Sequence, residues 1–498
     1  VTSEVCARVV LDSPLPQLDH LFDYAIPDDL SELICPGVRV TVPLRTAGRI
    51  SKGYVASITS RSEFTGSLSA IESIVSPVPV LSPEIWTLAR TVANRAGGTA
   101  ADVLRLAIPP RQVRVEKAYV AARNNPPQQH AGTIDERKDT VGAVSAPGYE
   151  PGAIESIIEK NGRAAITVEP RLARLNDNDW VGAWAVAMAA SATHCLARDR
   201  SAILLVPDYR DQEQLLRALG RVIPDRLISR VDARQSNPDR YRAFLRGLGS
   251  EAHVVVGNRS AVYAPVARLG LLALWDDGDS LFAEPIAPYV HARDAALVRQ
   301  DLAECALLFF AHGRTVEVQR LVEIDWLQAV RPQSSSHPII VPTAQQTGAE
   351  PAAQFARIPS LALTTARKAL DDGPVLIQVS RPGYTPRLAC ASCRSSARCH
   401  DCRGPLSIRA PQATPACSWC GRVAAQWCCD ACEGHALRPT SVGATRTAEE
   451  LGRAFPGVRV VVADGENPLL TVDSRSALVI ATRGAEPVAA GGYRAVIL

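Results

Sequence analysis

Leu271–Pro285 reads LLALWDDGDSLFAEP, an apolar run that breaks directly onto three aspartates, Asp276, Asp277 and Asp279. A nucleotide-hydrolysing strand ends in this way, with an acid placed to hold a magnesium ion. Working outward, the runs SAILLVPD (201–208), HVVVGNRS (253–260) and CALLFFAHG (305–313) have the same character. They are separated by helical lengths such as DQEQLLRALGRVI (211–223). Unbroken apolar strands alternating with helices imply a parallel sheet covered on both faces.

A second set of strand-like runs, PVLIQVS, VRVVVADGEN, SALVIATRG and YRAVIL, follows a Pro/Ser/Gln-rich joint near Arg331–Gln354. The expectation is two α/β lobes. The chain stops on the apolar YRAVIL, so the second lobe reads as incomplete and a C-terminal portion as missing. Toward the N-terminus the period changes. Short alternating segments (VCARVVLDS, GVRVTVPL, GYVASI) divided by Pro and Gly precede an apolar helix from Pro83 to about Ala96, which predicts a small β-rich domain. Ala121–Glu150 is polar and rich in Pro, Gln and Asn, a linker composition. The expected organisation is therefore a β-rich domain (1–115), a linker (116–150), lobe 1 (151–330), a second linker (331–357) and lobe 2 (358–386 with 439–498), the last interrupted by a cysteine-rich module (387–438).

The 498 residues exceed what one core usually holds, and 47% hydrophobic content is ample for several. A formal charge of +3 excludes a globally basic nucleic-acid binder, so any such footprint is local. Only five of the 54 basic residues are lysine, a bias that points to a GC-rich coding background. No apolar run approaches the roughly 18 residues of a membrane span, and VTSEVCARVV lacks a secretory pattern. The expectation is a soluble cytoplasmic protein with no membrane partner.

Nine of the 13 cysteines lie between Cys390 and Cys432, as CASC, CHDC, CSWC and CDAC. Each C-x2-C turn aims two thiolates at a common centre, and four turns supply eight ligands, enough for two tetrahedral zinc ions. Disulfides are the rival reading, disfavoured in a cytosolic protein. Fourteen residues separate Cys402 from Cys417, which suits one ribbon holding Cys399, Cys402, Cys417 and Cys420. Cys390 and Cys393 would then close with Cys429 and Cys432. Cys428 is the spare, able to substitute for Cys429, and His400 and His435 read as surface residues. Between Arg387 and Arg438 seven arginines face only Asp401, Asp430 and Glu433, a moderate signal for phosphate binding that the thiolates offset in part. Trp419 and Trp427 read either as base-stacking platforms or, more ordinarily, as packing for a tiny core.

The run RPGYTPRLACASCRSSARCHDCRGPLSI, then CSWCG and VGATRTAEELGRAFPGVRVVVADGEN, closely resembles the second helicase lobe and zinc insertion of the primosomal protein N′ (PriA) family of replication restart proteins. The likeness extends through YVHARDAALVR, VVVGNRSAVYAPVARLGL and AILLVPDYRDQEQL to LFDYAIPDDL and CPGVRVTVPL, in the family's order. The fold it implies is α/β multidomain: a small β-rich N-terminal DNA-binding domain, two RecA-like lobes of the superfamily 2 helicase type, and an insertion binding two zinc ions with the nested pairing above. By the same resemblance, Phe22 and Asp23 of LFDY match a Phe-Asp pair that captures the 3′ end of a nascent strand. The partners implied are DNA (forks, 3′ ends, single strands), primosome proteins, a helicase loader and single-stranded-DNA-binding protein, in the cytoplasm at the nucleoid. Without the resemblance, Phe22 and Tyr24 would read as core residues. The family's winged helix has only about 35 residues of linker composition available to it.

Active members of that family are ATP-dependent helicases, and the resemblance fails where that chemistry resides. A phosphate loop needs G-x-x-x-x-G-K-[ST], so that backbone N–H groups cradle the phosphates and the lysine reaches the β- and γ-oxygens. Residues 164–191, AAITVEPRLARLNDNDWVGAWAVAMAAS, contain no lysine, and Gly-Lys occurs nowhere in the chain. Where active relatives read Asp-Glu-Glu-His this chain reads Asp276, Asp277, Gly278, Asp279, and His312–Thr315 replaces Ser-Ala-Thr. Asp276 and Asp277 thus read as a degenerate Walker B strand, ATP and Mg2+ as doubtful cofactors, and the protein as a restart factor without detectable helicase activity. The alternatives are an active 3′-5′ helicase of the same family, and a zinc-ribbon interaction module on a Rossmann-like scaffold.

Overall fold

The computed structural model of the protein describes residues 5–44, 49–62, 64, 66–124, 145–177, 179–334, 338–342, 358–379, 387–408, 413–439, 444–465 and 467–498. Two compact units emerge, residues 1–170 with 181–336, and residues 171–180 with 337–498.

The first unit begins with strands β1 (Cys6–Leu11), β2 (Leu21–Ala25), β3 (Arg39–Leu44), β4 (Arg49–Thr59) and β5 (Ser73–Ser76), an antiparallel sheet in the order β2-β1-β4-β3-β5. Period-two alternation buries Ala7, Val9, Leu11, Val40 and Val42 on one face with Tyr24 and Val55. Gly53 lies where β4 crosses β1, and a Cβ there would stand 2.6 Å from the Val10 carbonyl oxygen. Helix α1 (Pro83–Ala96) starts with the Ser82 side chain accepting from Ile85 N–H and stops at Gly97, whose φ of 65° suits a residue without a Cβ. Helix α2 (Ala100–Ala107) opens on a reciprocal Thr99/Asp102 capping box.

Helix α3 (Val113–Asn124) occupies the start of the stretch whose composition reads as a linker. Its buried Glu116 accepts hydrogen bonds from Arg111 Nε at 2.9 Å and from Tyr241 Oη at 2.5 Å, so a tertiary anchor makes this segment helical. Residues 125–144 of that stretch lie outside the described residues.

Beyond α4 (Ala153–Glu159), β6 (Arg163–Thr167) leads to the short pair β7 (Leu172–Asn176) and β8 (Asp179–Gly182), and then to α5 (Ala183–Leu196). The chain continues through β9 (Ser201–Leu205), α6 (Tyr209–Leu219), β10 (Ile228–Val231), α7 (Asn237–Gly247), β11 (Val254–Gly257), β12 (Leu269–Trp275), α8 (Ala292–Ala303), β13 (Ala306–Ala311), α9 (Val316–Glu323) and β14 (Gln328–Val330). These strands form one parallel sheet, β10-β11-β9-β12-β13-β6-β14. Every residue of β9, β11 and β13 is buried, as the unbroken apolar runs require.

The boundary expected at residue 115 is not a gap in packing. Val10, Tyr54, Leu88 and Val103 share a core with Ile203, Leu205, Leu272, Leu274 and Phe309. The Arg39 guanidinium lies over the rings of Tyr54 and Tyr241 at 5.7 and 5.9 Å and donates to the Pro109 carbonyl.

In the second unit α10 (Ser360–Leu370) leads to β15 (Val375–Val379). The cysteine module follows, with β16 (Leu388–Cys390) and β19 (Leu437–Pro439) pairing antiparallel at its root, and β17 (Leu406–Ser407) with β18 (Ala416–Cys417) inside it. After α11 (Ala444–Ala454) come β20 (Val460–Ala463), β21 (Thr471–Val472), β22 (Leu478–Thr482), β23 (Val488–Ala489) and β24 (Ala495–Ile497). The parallel sheet is β20-β22-β15-β24.

Candidate metal centres and nucleic-acid pocket

The four C-x2-C segments adopt one local conformation. In each, the residue after the second cysteine donates its N–H to the carbonyl of the first: Arg394 to Cys390, Arg403 to Cys399, Gly421 to Cys417 and Glu433 to Cys429, at 2.9–3.1 Å. Those four residues have φ of 64°, 60°, 75° and 57°, the left-handed turn that swings two sulfurs to one side. The sulfurs of Cys390, Cys393, Cys429 and Cys432 lie within 4.8 Å of one another, as do those of Cys399, Cys402, Cys417 and Cys420. Pair distances of 3.5 Å (Cys390–Cys432, Cys393–Cys429), 3.8 Å (Cys399–Cys420) and 3.3 Å (Cys402–Cys417) are too long for disulfides. They sit near the roughly 3.8 Å edge of a tetrahedron with metal–sulfur bonds of about 2.3 Å. Both tetrads could hold metal ions, and they are the only groups of three or more such ligand atoms this close among the described residues.

Cys428 belongs to neither tetrad, and its carbonyl pairs with His400 Nε2 at 2.9 Å. His435 is exposed. Trp427 is buried, donates from Nε1 to the Arg398 carbonyl, and fills the module's core with Leu388, Ala397 and Leu406. Trp419 is different: it is 69% exposed.

At the acidic edge of the seven-stranded sheet, Asp277 is buried and accepts hydrogen bonds from Arg293 Nη1 (3.0 Å) and Thr315 Oγ1 (2.9 Å). Asp276, with φ of 49°, is pushed up by burial and by Asp279 and Asp277. Asp211, on α6, is pushed up to about 8 by burial and by the charges of Asp208, Asp276 and Asp279. Beside these acids α5 begins Ala183-Trp184-Ala185, with no side-chain cap. Trp184 is buried and stacks on Trp275, centroids 4.5 Å apart and planes 10° from parallel. Trp275 in turn meets His312 edge-on at 5.0 Å. The Gly182 N–H that precedes the helix is already taken by Gln214 Oε1 at 2.9 Å. Sequence reasoning finds the aspartates and the missing lysine, but not the paired indoles, which only the fold brings together.

Phe22 and Asp23 are neighbours on β2 and point to opposite faces. Both reach one cavity of about 500 Å3 because β2 is an edge strand, with Arg8, His20, Phe64 and Ser67 also lining it. Asp23 Oδ2 accepts from Ser62 Oγ at 2.6 Å, and Arg8 Nε, its cross-strand partner, stands 3.4 Å from Oδ1. The carboxylate therefore lies preoriented at the cavity wall. Phe22 is half-buried, its ring 4.1 Å from that of His20, whereas Tyr24 is buried and donates to the Pro43 carbonyl. Both line the cavity, Tyr24 from within the sheet's buried core and Phe22 packed against that core. Arg8 and Ser62 carry no motif, since cross-strand register is not written in local sequence.

Residues 8–109 match the family described as the 3′DNA-binding domain. Over 494 residues the chain is 40% identical to the probable replication restart protein PriA of Mycobacterium bovis, covering 97% of this chain and 72% of that protein. It is 39% identical to the Mycobacterium leprae protein of the same description, with 97% and 73% covered. The replication restart protein PriA of Haemophilus influenzae is 24% identical over 532 residues, with 92% and 70% covered. Among the described residues no helix is long and apolar enough to cross a membrane.

Proposed function

The chain belongs to the replication restart protein PriA family, and on that premise we propose that it recognises arrested replication forks and initiates primosome assembly without driving a helicase itself. The observation that carries the reading is the edge-strand cavity within residues 8–109, where an oriented carboxylate and a half-buried aromatic ring face one space. An aromatic face stacks a terminal base, and Asp23 accepts a hydrogen bond from a free 3′-hydroxyl, a donor that an interior phosphodiester lacks.

The two parallel sheets are read as RecA-like lobes, 151–330 and 358–386 with 439–498, acting as a scaffold. The reading of no motor rests on the start of α5, where Trp184 and Trp275 stack, and on residues 164–191, which contain no lysine to reach a phosphate. Such a wall supplies neither ground-state grip nor compensation for transition-state charge. The two tetrads would each hold one zinc ion, which cross-links the module and supplies most of its folding energy. The partners in this reading are fork DNA with a 3′ end, single-stranded-DNA-binding protein and a helicase loader, met at the nucleoid.

Binding of the purified chain to forked, single-stranded and blunt duplex DNA, run beside a DNA-stimulated ATPase assay, tests the proposal. Preference for the fork with hydrolysis at background is expected. Equal affinity for all three substrates would reduce the protein to an interaction module, and turnover abolished by Asp276→Ala would make it a working motor.

A further inference from the structure

We propose that the surface formed by α3 and α7 is a second DNA contact, one that grips the phosphate backbone of a duplex arm. The proposal rests on the fork-binding reading above but uses a surface distinct from the 3′-end cavity. The two helices pack together through Val115, Tyr119, Tyr241 and Leu245, with the Tyr241–Glu116 hydrogen bond pinning them. Between them they carry six basic side chains and two acids, in a chain that is otherwise nearly neutral.

What decides the matter is where those two acids are. Glu116 is buried and committed to Arg111 and Tyr241. Asp239 is exposed, but it is held at the start of its own helix, where it pairs with Arg242 and accepts from Ser236 Oγ at 2.6 Å. The exposed side of α3 therefore presents Arg114, Lys117, Ala118, Ala121 and Ala122, with no carboxylate. Neither Arg114 nor Lys117 makes an ion pair among the described residues. Cations three residues apart on a helix repel each other at a small cost. Nothing within the described protein offsets that cost, whereas an external anion would.

Arg114 and Arg242 flank a groove of about 370 Å3 between the two helices, floored by Val115, Ala118, Tyr119 and Leu245. Small alanines beside the cations let a bulky backbone approach closely. The surface is a helix pair whose one groove-lining aromatic ring, Tyr119, is half-buried in the floor, whereas single strands are held by exposed stacking platforms. Rows of cations with no base-reading groups suit the sequence-independent phosphates of a duplex.

The test is a triple substitution, Arg114→Gln, Lys117→Gln and Arg242→Gln, in the 498-residue chain. All three side chains are exposed, so the melting temperature should be unchanged. Affinity for a fork with a duplex arm should fall about 10- to 100-fold near 0.1 M salt, and the slope of log affinity against log salt should shrink by about 2 to 3, near 0.9 for each phosphate no longer neutralised. Binding of a single-stranded 3′-hydroxyl oligonucleotide should not change. The lysine double variant, Arg114→Lys with Arg242→Lys, should retain fork binding. A triple variant with the parent's fork affinity and salt slope would overturn this surface while leaving the fork reading intact. A parent protein that shows no preference for forks would overturn both.

Discussion

At Asp23, recognition turns on whether the DNA end brings a proton. The carboxylate already accepts from Ser62 and faces Arg8, so it is held as an acceptor. Replacing a leading-strand 3′-hydroxyl by a 3′-phosphate removes the donor and brings a dianion to a carboxylate, which should weaken fork binding by about 1–3 kcal/mol, or roughly 5- to 150-fold. Asp23→Ala should flatten that difference and leave the salt dependence nearly as it was. A folded Asp23→Ala protein that still discriminates the two ends as the parent does would show that the cavity is not an end sensor. The cysteines offer a sharper contrast, because a tetrad cysteine and the spare one have opposite expected fates. Cys399→Ser should lose one of two bound zinc ions and unfold the module, in which Cys390, Cys399, Cys417 and Cys429 make up half the buried core and a structural zinc contributes on the order of 10 kcal/mol. Cys428→Ser should keep both ions, since the left-handed turn at Glu433 closes on Cys429 instead. Zinc analysis of the two variants checks the assignment, and equal loss in both would overturn it.

At the level of elements, what can be read in the sequence depends on whether a signal is local. Fully apolar runs mark the parallel strands, and a C-x2-C repeat points to its own chemistry by spacing, so the eight-thiolate module is legible from the order of residues, while the choice between Cys428 and Cys429 waits on the fold. Helix α3 is not legible in that way. It runs into the polar stretch that reads as linker, and its anchor, Tyr241, is 125 residues away. Burial pulls the Glu116 carboxyl upward, but hydrogen bonds from Arg111, Tyr241 and Ser76 outweigh it and hold the group below its ordinary value of 4.5. A depressed carboxyl stabilises the fold above its unfolded pKa and loses that contribution as pH falls through the lower, folded value. The docking of α3 should therefore be intact at neutral pH and weaken below about pH 4.5. Glu116→Gln should cost about 1–3 kcal/mol at pH 7 and flatten the acid limb of a stability-against-pH curve. Parallel acid limbs in parent and variant would mean that Glu116 is not the linked group.

Across the whole molecule, the sequence separates the β-rich domain from the first α/β lobe, and the packing joins them. Composition marks a boundary wherever polar residues accumulate, but cooperativity depends on which apolar faces share a core. Here α1 is the shared element: Leu88 is 3% exposed and lies in one cluster with Val10 and Tyr54 of the antiparallel sheet and with Ile203 and Leu274 of the parallel one. A DNA end captured at β2 would thus be held by a body continuous with the lobe that carries the acidic edge, rather than by a tethered module. Leu88→Ala should remove about 2–5 kcal/mol. That loss should appear in both sheets, with amides of β3 and β4 and those of β9 and β12 losing hydrogen-exchange protection together and a single calorimetric transition moving down. If the antiparallel sheet alone loses protection while β9 and β12 keep theirs, the two fold independently, and end capture must reach the lobe through a flexible connection instead of through a common core.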